Sequence, residues 1–126
     1  MQAVLLVGLG GAAGSLARYW MTMLAAQLVG EAFPWGTLAI NVIGSFVIGV
    51  FAALTGGDGV FAGNVSLRLL VMVGICGGFT TFSSFSLQTF LLLRQGDYLW
   101  AVAYVMGSVL ICLAGTAAGI AAFTRG

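Results

Sequence analysis

Four apolar stretches, each long enough to cross a lipid bilayer, account for most of this chain. A spanning helix needs about 20 mostly apolar residues. The sequence supplies four such windows, roughly Ala3 to Val29, Trp35 to Leu54, Leu67 to Leu93 and Leu99 to Phe123. Short glycine-rich or polar punctuation separates them: Gly30-Glu31-Ala32-Phe33-Pro34, Gly56-Gly57-Asp58-Gly59 and Arg94-Gln95-Gly96-Asp97. No stretch between them is long or polar enough for a soluble domain, so residues 1–126 read as a single four-helix transmembrane domain. Composition agrees, with 6% charged residues where a soluble domain has about 25%. So small a soluble domain has no room to hide 61% hydrophobic residues, because small domains bury the smallest fraction of their surface. The solvent for most of this protein is lipid.

The same inventory excludes several functions. The net charge is +1, with no Lys and no His, and nucleic acid binding needs clustered basic residues to neutralise phosphates. The lack of His also removes imidazole catalysis and the commonest metal ligand. Cys76 and Cys112 lie in apolar stretches without paired-ligand spacing and read as small packing residues. No nucleophile–base pair is evident, so no enzyme is expected. The N-terminus has no basic segment or small-residue cleavage site, so the first apolar stretch is read as retained.

Charge does not choose an orientation. Four spans put both termini and the second loop on one side, with Arg68 and Arg125; the other side has Arg94, plus Arg18 if it reaches the surface. Orientation follows an excess of Lys and Arg near span ends, and here there is no excess. Such a chain is expected to insert both ways round, which permits an antiparallel homodimer. Many transporters and channels build a midplane site between inverted repeats, and an upside-down second copy supplies the half this short chain lacks.

Several motifs allow two readings. Gly8-x-Gly10-x-x-Ala13 imitates a dinucleotide-binding fingerprint, with Glu31 about 20 residues on, but nothing downstream alternates strand and helix, as that fold requires. Gly10-x-x-x-Gly14 and Gly115-x-x-x-Gly119 instead have the spacing that lets membrane helices approach closely. Arg18, costly inside a bilayer, either snorkels to the interface beside Tyr19 and Trp20 or sets a positive field at the mouth of an anion pathway. Asn41 shares a helix face with Ser45 and Gly49. It is either glue between helices or a donor that replaces water around an anion without adding charge.

The run Gly74-Ile75-Cys76-Gly77-Gly78-Phe79-Thr80-Thr81-Phe82-Ser83-Ser84-Phe85-Ser86 sits in the middle of the third span. Adjacent glycines and hydroxyl residues weaken a helix. A break at membrane depth frees carbonyls that protein, water or an ion must satisfy, and carbonyls on two facing subunits could cage a cation such as Na⁺. The competing reading is a kinked helix whose hydroxyls bond back to its own carbonyls. Phe79, Phe82 and Phe85 recur every three residues, with Phe90 beyond. They either pack or face lipid, or offer positive ring edges to an anion held weakly enough to leave. Tyr104, Ser108, Cys112 and Thr116 form a four-residue ladder on the fourth span, either bonded back to their own helix or serving as a track of donors. Glu31, Asp58 and Asp97 all fall in loops, which weakens a proton-coupled exporter, since such a machine needs an intramembrane acid.

The opening Gly10-Gly11-Ala12-Ala13-Gly14-Ser15-Leu16-Ala17-Arg18-Tyr19, the Gly-Thr-Leu-x-x-Asn-x-x-Gly segment at Gly36 to Gly44 and the Gly-Gly-Phe-Thr-Thr-Phe-Ser-Ser-Phe-Ser core at Gly77 to Ser86 together resemble the Fluc (CrcB) fluoride channels. The resemblance runs in order over essentially the whole chain, and the span-three motif is the specific part. It implies an all-α membrane protein, four transmembrane helices with a broken third helix near residues 77–81, assembled as an antiparallel, dual-topology homodimer in the bacterial cytoplasmic (inner) membrane. It implies passive, selective fluoride efflux through two pathways around one central, structural Na⁺. Carried onto this sequence, the backbone carbonyls of Gly77 and Thr80 from both subunits hold the Na⁺. Asn41, Phe82, Phe85, Tyr104, Ser108 and Thr116 form the fluoride pathway, and Arg18 lies in the vestibule. Family members often have Glu where this chain has Gln88 and Thr where it has Ser84, and Cys112 is a poorer donor than a hydroxyl. The alternatives are a small four-span, dual-topology proton-coupled transporter and a non-transporting scaffold subunit.

Overall fold

The chain is all helical in the computed structural model, which describes residues 1–124; Arg125, counted in the charge balance above, lies outside the described residues. Helix α1 (Gln2–Val29) ends at Gly30, whose φ of 78° suits a residue without a side chain. Helix α2 (Trp35–Thr55) starts after Pro34, which has no N–H to donate, and ends at Gly56. A short connection leads to Asn64, whose side chain caps the next helix by accepting from the Leu67 N–H at 2.9 Å.

The third span runs over Val65–Arg94 in two pieces. Its first piece, α3 (residues 65–79), opens with Val65–Leu67, continues as a nine-residue π-helix over Arg68–Cys76, and closes with Gly77–Phe79. Thr80 (ψ 160°) and Thr81 (φ −152°, ψ 121°) are then extended. Helix α4 (Phe82–Arg94) resumes with Thr81 as its cap, the hydroxyl oxygen accepting from the Ser84 N–H at 3.2 Å. Gly96 (φ 83°) turns the chain into α5 (Tyr98–Phe123). The interruption is therefore at Thr80–Thr81 and not at the adjacent glycines. Gly77 keeps helical angles (φ −62°, ψ −38°) and, with Gly78, belongs to the helical turn Gly77–Phe79.

Two close helix pairs hold these spans. A Cβ on Gly10 would collide with the Leu70 carbonyl, one on Gly14 with the Ile75 carbonyl, and one on Gly78 with the Gly11 carbonyl, so α1 and α3 meet backbone to backbone. Helices α2 and α5 meet in the same way, where Gly49 lies against the Thr116 backbone and Gly119 against that of Phe46. Both small-residue spacings thus serve packing. At one end, Leu92, Ala101 and Tyr104 form a buried cluster with Phe33, Leu38 and Phe85 around it. Most other large side chains face outward and are apolar. In a chain with four helices long and apolar enough to cross a membrane, that outer surface is the lipid face of a multi-pass membrane protein.

Candidate functional site

The break at Thr80–Thr81 opens onto a cavity of about 390 Å³. Its wall brings together Asn41 and Ser45 from α2, Cys76 and Gly77 from α3, Thr80 and Thr81 from the break, Phe82 and Phe85 from α4, and Ser108 and Cys112 from α5. Three distant parts of the sequence therefore converge on one interrupted turn.

The break leaves backbone groups without helical partners, and their fates differ. Asn41 takes two of them, its Nδ2 donating to the Thr81 carbonyl at 3.0 Å and its Oδ1 accepting from the Thr81 N–H at 2.8 Å. The Thr80 N–H and hydroxyl both return to the Cys76 carbonyl, at 2.9 and 2.8 Å. The Thr81 N–H would have served the Gly77 carbonyl had the helix continued. Among the described residues no donor reaches the carbonyls of Gly77 or Thr80. Thr81 hydrogen-bonds Ser84 at 3.1 Å and Ser83 at 3.3 Å, so this break is tied by side chains from its own motif and from α2.

Two rungs of the α5 ladder bond outward rather than back to their own helix. Thr116 donates to the Ser45 carbonyl on α2 at 3.1 Å, and Tyr104 donates to Gln88 Oε1 at 2.8 Å. Ser108 is 6% exposed, yet its Oγ has no hydrogen-bond partner. A buried hydroxyl without a partner costs about 1–3 kcal/mol, so this one is an unsatisfied group on a cavity wall. The rings of Phe82 and Phe85 lie 5.4 Å apart, tilted by 50°. Phe85 packs on Tyr104 at 5.1 Å, whereas Phe82 is 80% exposed on this single chain.

Not every anticipated residue joins this cavity. Tyr104 lies beyond it, where its hydroxyl meets Gln88. Thr116 is committed to the α2–α5 contact. Arg18 is half-buried on α1 and lines neither this cavity nor the one beside Gln88. Conversely, Thr81, Gln88 and Phe33 carry contacts here without having been singled out as site residues. For Thr81 the usable signal was its position before a Phe-Ser-Ser start, an N-cap pattern. For Gln88 and Phe33 no local signal exists, because their partner Tyr104 is far along the chain.

Comparison with known proteins gives this geometry relatives. Residues 5–120 match the family described as CrcB-like protein, Camphor Resistance (CrcB). The protein named fluoride-specific ion channel FluC from Rhodospirillum rubrum is 56% identical over 111 residues, covering 88% of this chain and 86% of its own length. That of the same name from Opitutus terrae is 53% identical over 113 residues (90% and 86%), and that from Rhizobium johnstonii 48% over 121 (96% and 95%). The relatives are ion channels by name, not enzymes. With a family match spanning nearly all four helices and identities near one half, the chain belongs to the CrcB (Fluc) family.

Proposed function

We propose that this protein is a fluoride-selective channel giving passive efflux of fluoride from the bacterial cytoplasm across the inner membrane. The observation that carries this reading is the cavity at the interrupted third span, where an unpartnered Ser108 hydroxyl, the Asn41 amide and the rings of Phe82 and Phe85 surround exposed backbone. These groups give a desolvating anion hydrogen bonds and positive ring edges without a fixed positive charge that would trap it. Membership of a family whose curated relatives are named fluoride-specific ion channels supports the choice of ion.

The working unit in this proposal is an antiparallel, dual-topology homodimer. Irregular backbone at membrane depth is tolerated only when protein or water covers it. On a single chain, Gly77, Phe82, Ser83 and Ser86 are exposed beside the break. A second, inverted copy covers them and brings the Gly77 and Thr80 carbonyls of both subunits together. Those carbonyls lack donors and are hard oxygen ligands, so they fit a central Na⁺, which when bound would pin the two breaks and add positive potential between the pathways. Arg18 in this reading belongs to the aqueous vestibule. A proton-coupled transporter is disfavoured because Glu31, Asp58 and Asp97 all lie outside the helices.

The test is fluoride efflux from liposomes containing the purified protein, followed with a fluoride-selective electrode. Rapid fluoride release without comparable chloride release, and without need of a pH gradient, is the expected result. Equal fluxes of the two halides, or none, would overturn the assignment.

A further inference from the structure

The cavity at the break also gathers sulfur. Met72 and Cys76 from α3 and Cys112 from α5 all line its wall. Cys76 and Cys112 are the chain's two cysteines, and both are free thiols. Met72 precedes Cys76 by four residues within the π-helix, close to one turn, which places both on the cavity side of α3. The Met72 sulfur stands 4.0 Å from the Thr55 hydroxyl, whose single proton goes to the Phe51 carbonyl at 2.6 Å, so the thioether lone pairs stay unclaimed. On α5, one turn before Cys112, the Ser108 hydroxyl is 6% exposed and unpartnered on the same wall. Three sulfurs and an unsatisfied hydroxyl thus surround one space of about 390 Å³.

Packing explains either cysteine singly, since a thiol is a small apolar filler. It gives no reason for three sulfurs from two helices to share a cavity wall. Thiolate and thioether are soft donors that select soft cations such as Cu(I), whereas hard cations take oxygen ligands. We propose that Met72, Cys76 and Cys112 form a binding site for a soft monovalent d¹⁰ cation, Cu(I) or its analogue Ag(I), distinct from the Gly77 and Thr80 oxygens. On binding, one thiol loses its proton to bulk water and becomes a thiolate ligand. One positive charge replaces another, so the site remains neutral at membrane depth, where net charge is costly. The second thiol and the Met72 thioether donate as neutral ligands. Metal and sulfur both keep their oxidation states. Binding does not depend on the fluoride-channel reading. One consequence does rest on it: an ion held in this cavity obstructs fluoride.

The binding experiment uses Ag(I), which needs no reductant, with the purified full chain in detergent and chloride-free nitrate buffer. Bound silver is measured by equilibrium dialysis and elemental analysis, and helical content is checked for every variant. The parent is expected to hold about one tight equivalent per chain, and Cys76→Ser and Cys112→Ser each to bind at least about tenfold more weakly. Met72→Leu is expected to weaken binding less than either. Two equivalents per parent chain, with one kept at unchanged affinity in each cysteine variant, would mean two independent thiols and would overturn the site. Unchanged affinity in Met72→Leu would strike the thioether from it. In liposomes, saturating Ag(I) is expected to abolish most fluoride efflux by the parent, with recovery when dithiothreitol removes the metal. Parent efflux unmoved by saturating Ag(I) would overturn the obstruction. A parent silent without silver would instead remove the channel reading and leave the binding result standing.

Discussion

Asn41 and Thr81 hold each other through two hydrogen bonds, at 3.0 and 2.8 Å, in which the side-chain amide of one meets both backbone polar groups of the other. The arrangement copies the pairing of adjacent β-strands, made once inside a membrane helix bundle. It reconciles the two readings of Asn41 in the sequence. The residue is glue, because it satisfies the peptide that the break would otherwise leave unpaired. It also lines the cavity, and one Nδ2 hydrogen remains beyond the one given to Thr81.

Removing that grip should be costly in two measurements together. Asn41→Leu keeps the side chain's approximate size but leaves the Thr81 N–H and carbonyl unsatisfied, at about 1–3 kcal/mol for a buried group. The expected result is a lower thermal midpoint in detergent and fluoride flux reduced at least about tenfold, the equivalent of about 1.4 kcal/mol. A variant with parental melting and flux would show that the break holds its shape without α2.

Ser108 should behave in the opposite sense. Its hydroxyl is buried and unpartnered, so it weakens the resting fold while remaining available to an ion. Ser108→Ala is expected to raise stability by about 1 kcal/mol, read as a higher denaturation midpoint, while fluoride flux falls. Loss of both stability and flux would mean that the hydroxyl serves packing rather than conduction.

Much of the architecture was legible in the sequence because lipid imposes simple rules. Four long apolar windows become four span-capable helices, and a hydroxyl run following two glycines marks the interrupted one. The location of the interruption was less legible. The expected break near residues 77–81 rested on glycine freedom and on hydroxyl competition together; the extended residues, Thr80 and Thr81, lie within that stretch, whereas Gly78 is spent on contact with Gly11. What breaks the helix is competition for hydrogen bonds. Asn41 takes the Thr81 peptide and the Thr81 hydroxyl caps α4, and the first of these partners comes from a span 40 positions away. The nine-residue π-helix over Arg68–Cys76 had no sequence signal. The Tyr104–Gln88 bond was hidden for a related reason, since a period-four ladder says which face a side chain occupies but not what opposes it.

The α1–α3 contact makes a further prediction. A Cβ on Gly14 would strike the Ile75 carbonyl, with the Phe79 nitrogen 2.9 Å away, and neither is a flexible side-chain end that can move aside. Gly14→Ala should therefore lower the thermal midpoint and displace the first piece of the broken span, with loss of flux. Gly8 has open space around it in the same helix, and there Ala should be neutral or stabilising by about 0.5–1 kcal/mol, as in a helix interior. Equal tolerance at both positions would mean that α1 and α3 can separate without consequence.

The ring-edge role divides Phe82 from Phe85. Phe85 packs on Tyr104 as well as on Phe82, whereas Phe82 is largely exposed on one chain. Phe85→Ile should thus reduce both stability and fluoride flux, and Phe82→Ile should reduce flux while leaving the melting of the subunit nearly unchanged. Full fluoride flux in both variants would remove the phenylalanine edges from the pathway.

Gly77 gives the sharpest separation of subunit folding from assembly. Its angles are helical, and a Cβ built on it meets nothing within 4 Å, so within one chain Ala should be tolerated and should even favour the helix by about 0.5–1 kcal/mol. In the proposed dimer the same surface faces an inverted copy, and the Gly77 carbonyl is one of the oxygens that fit the shared Na⁺. A methyl group there would hold the two breaks apart and spoil that oxygen cage. Gly77→Ala is accordingly expected to retain its helical content while eluting from a sizing column as a smaller species, or to assemble only at raised Na⁺ concentration. If Gly77→Ala elutes, melts and conducts like the parent at every Na⁺ concentration, the two breaks do not meet at Gly77, and the carbonyls freed by Asn41 and Thr81 must be satisfied in some other way.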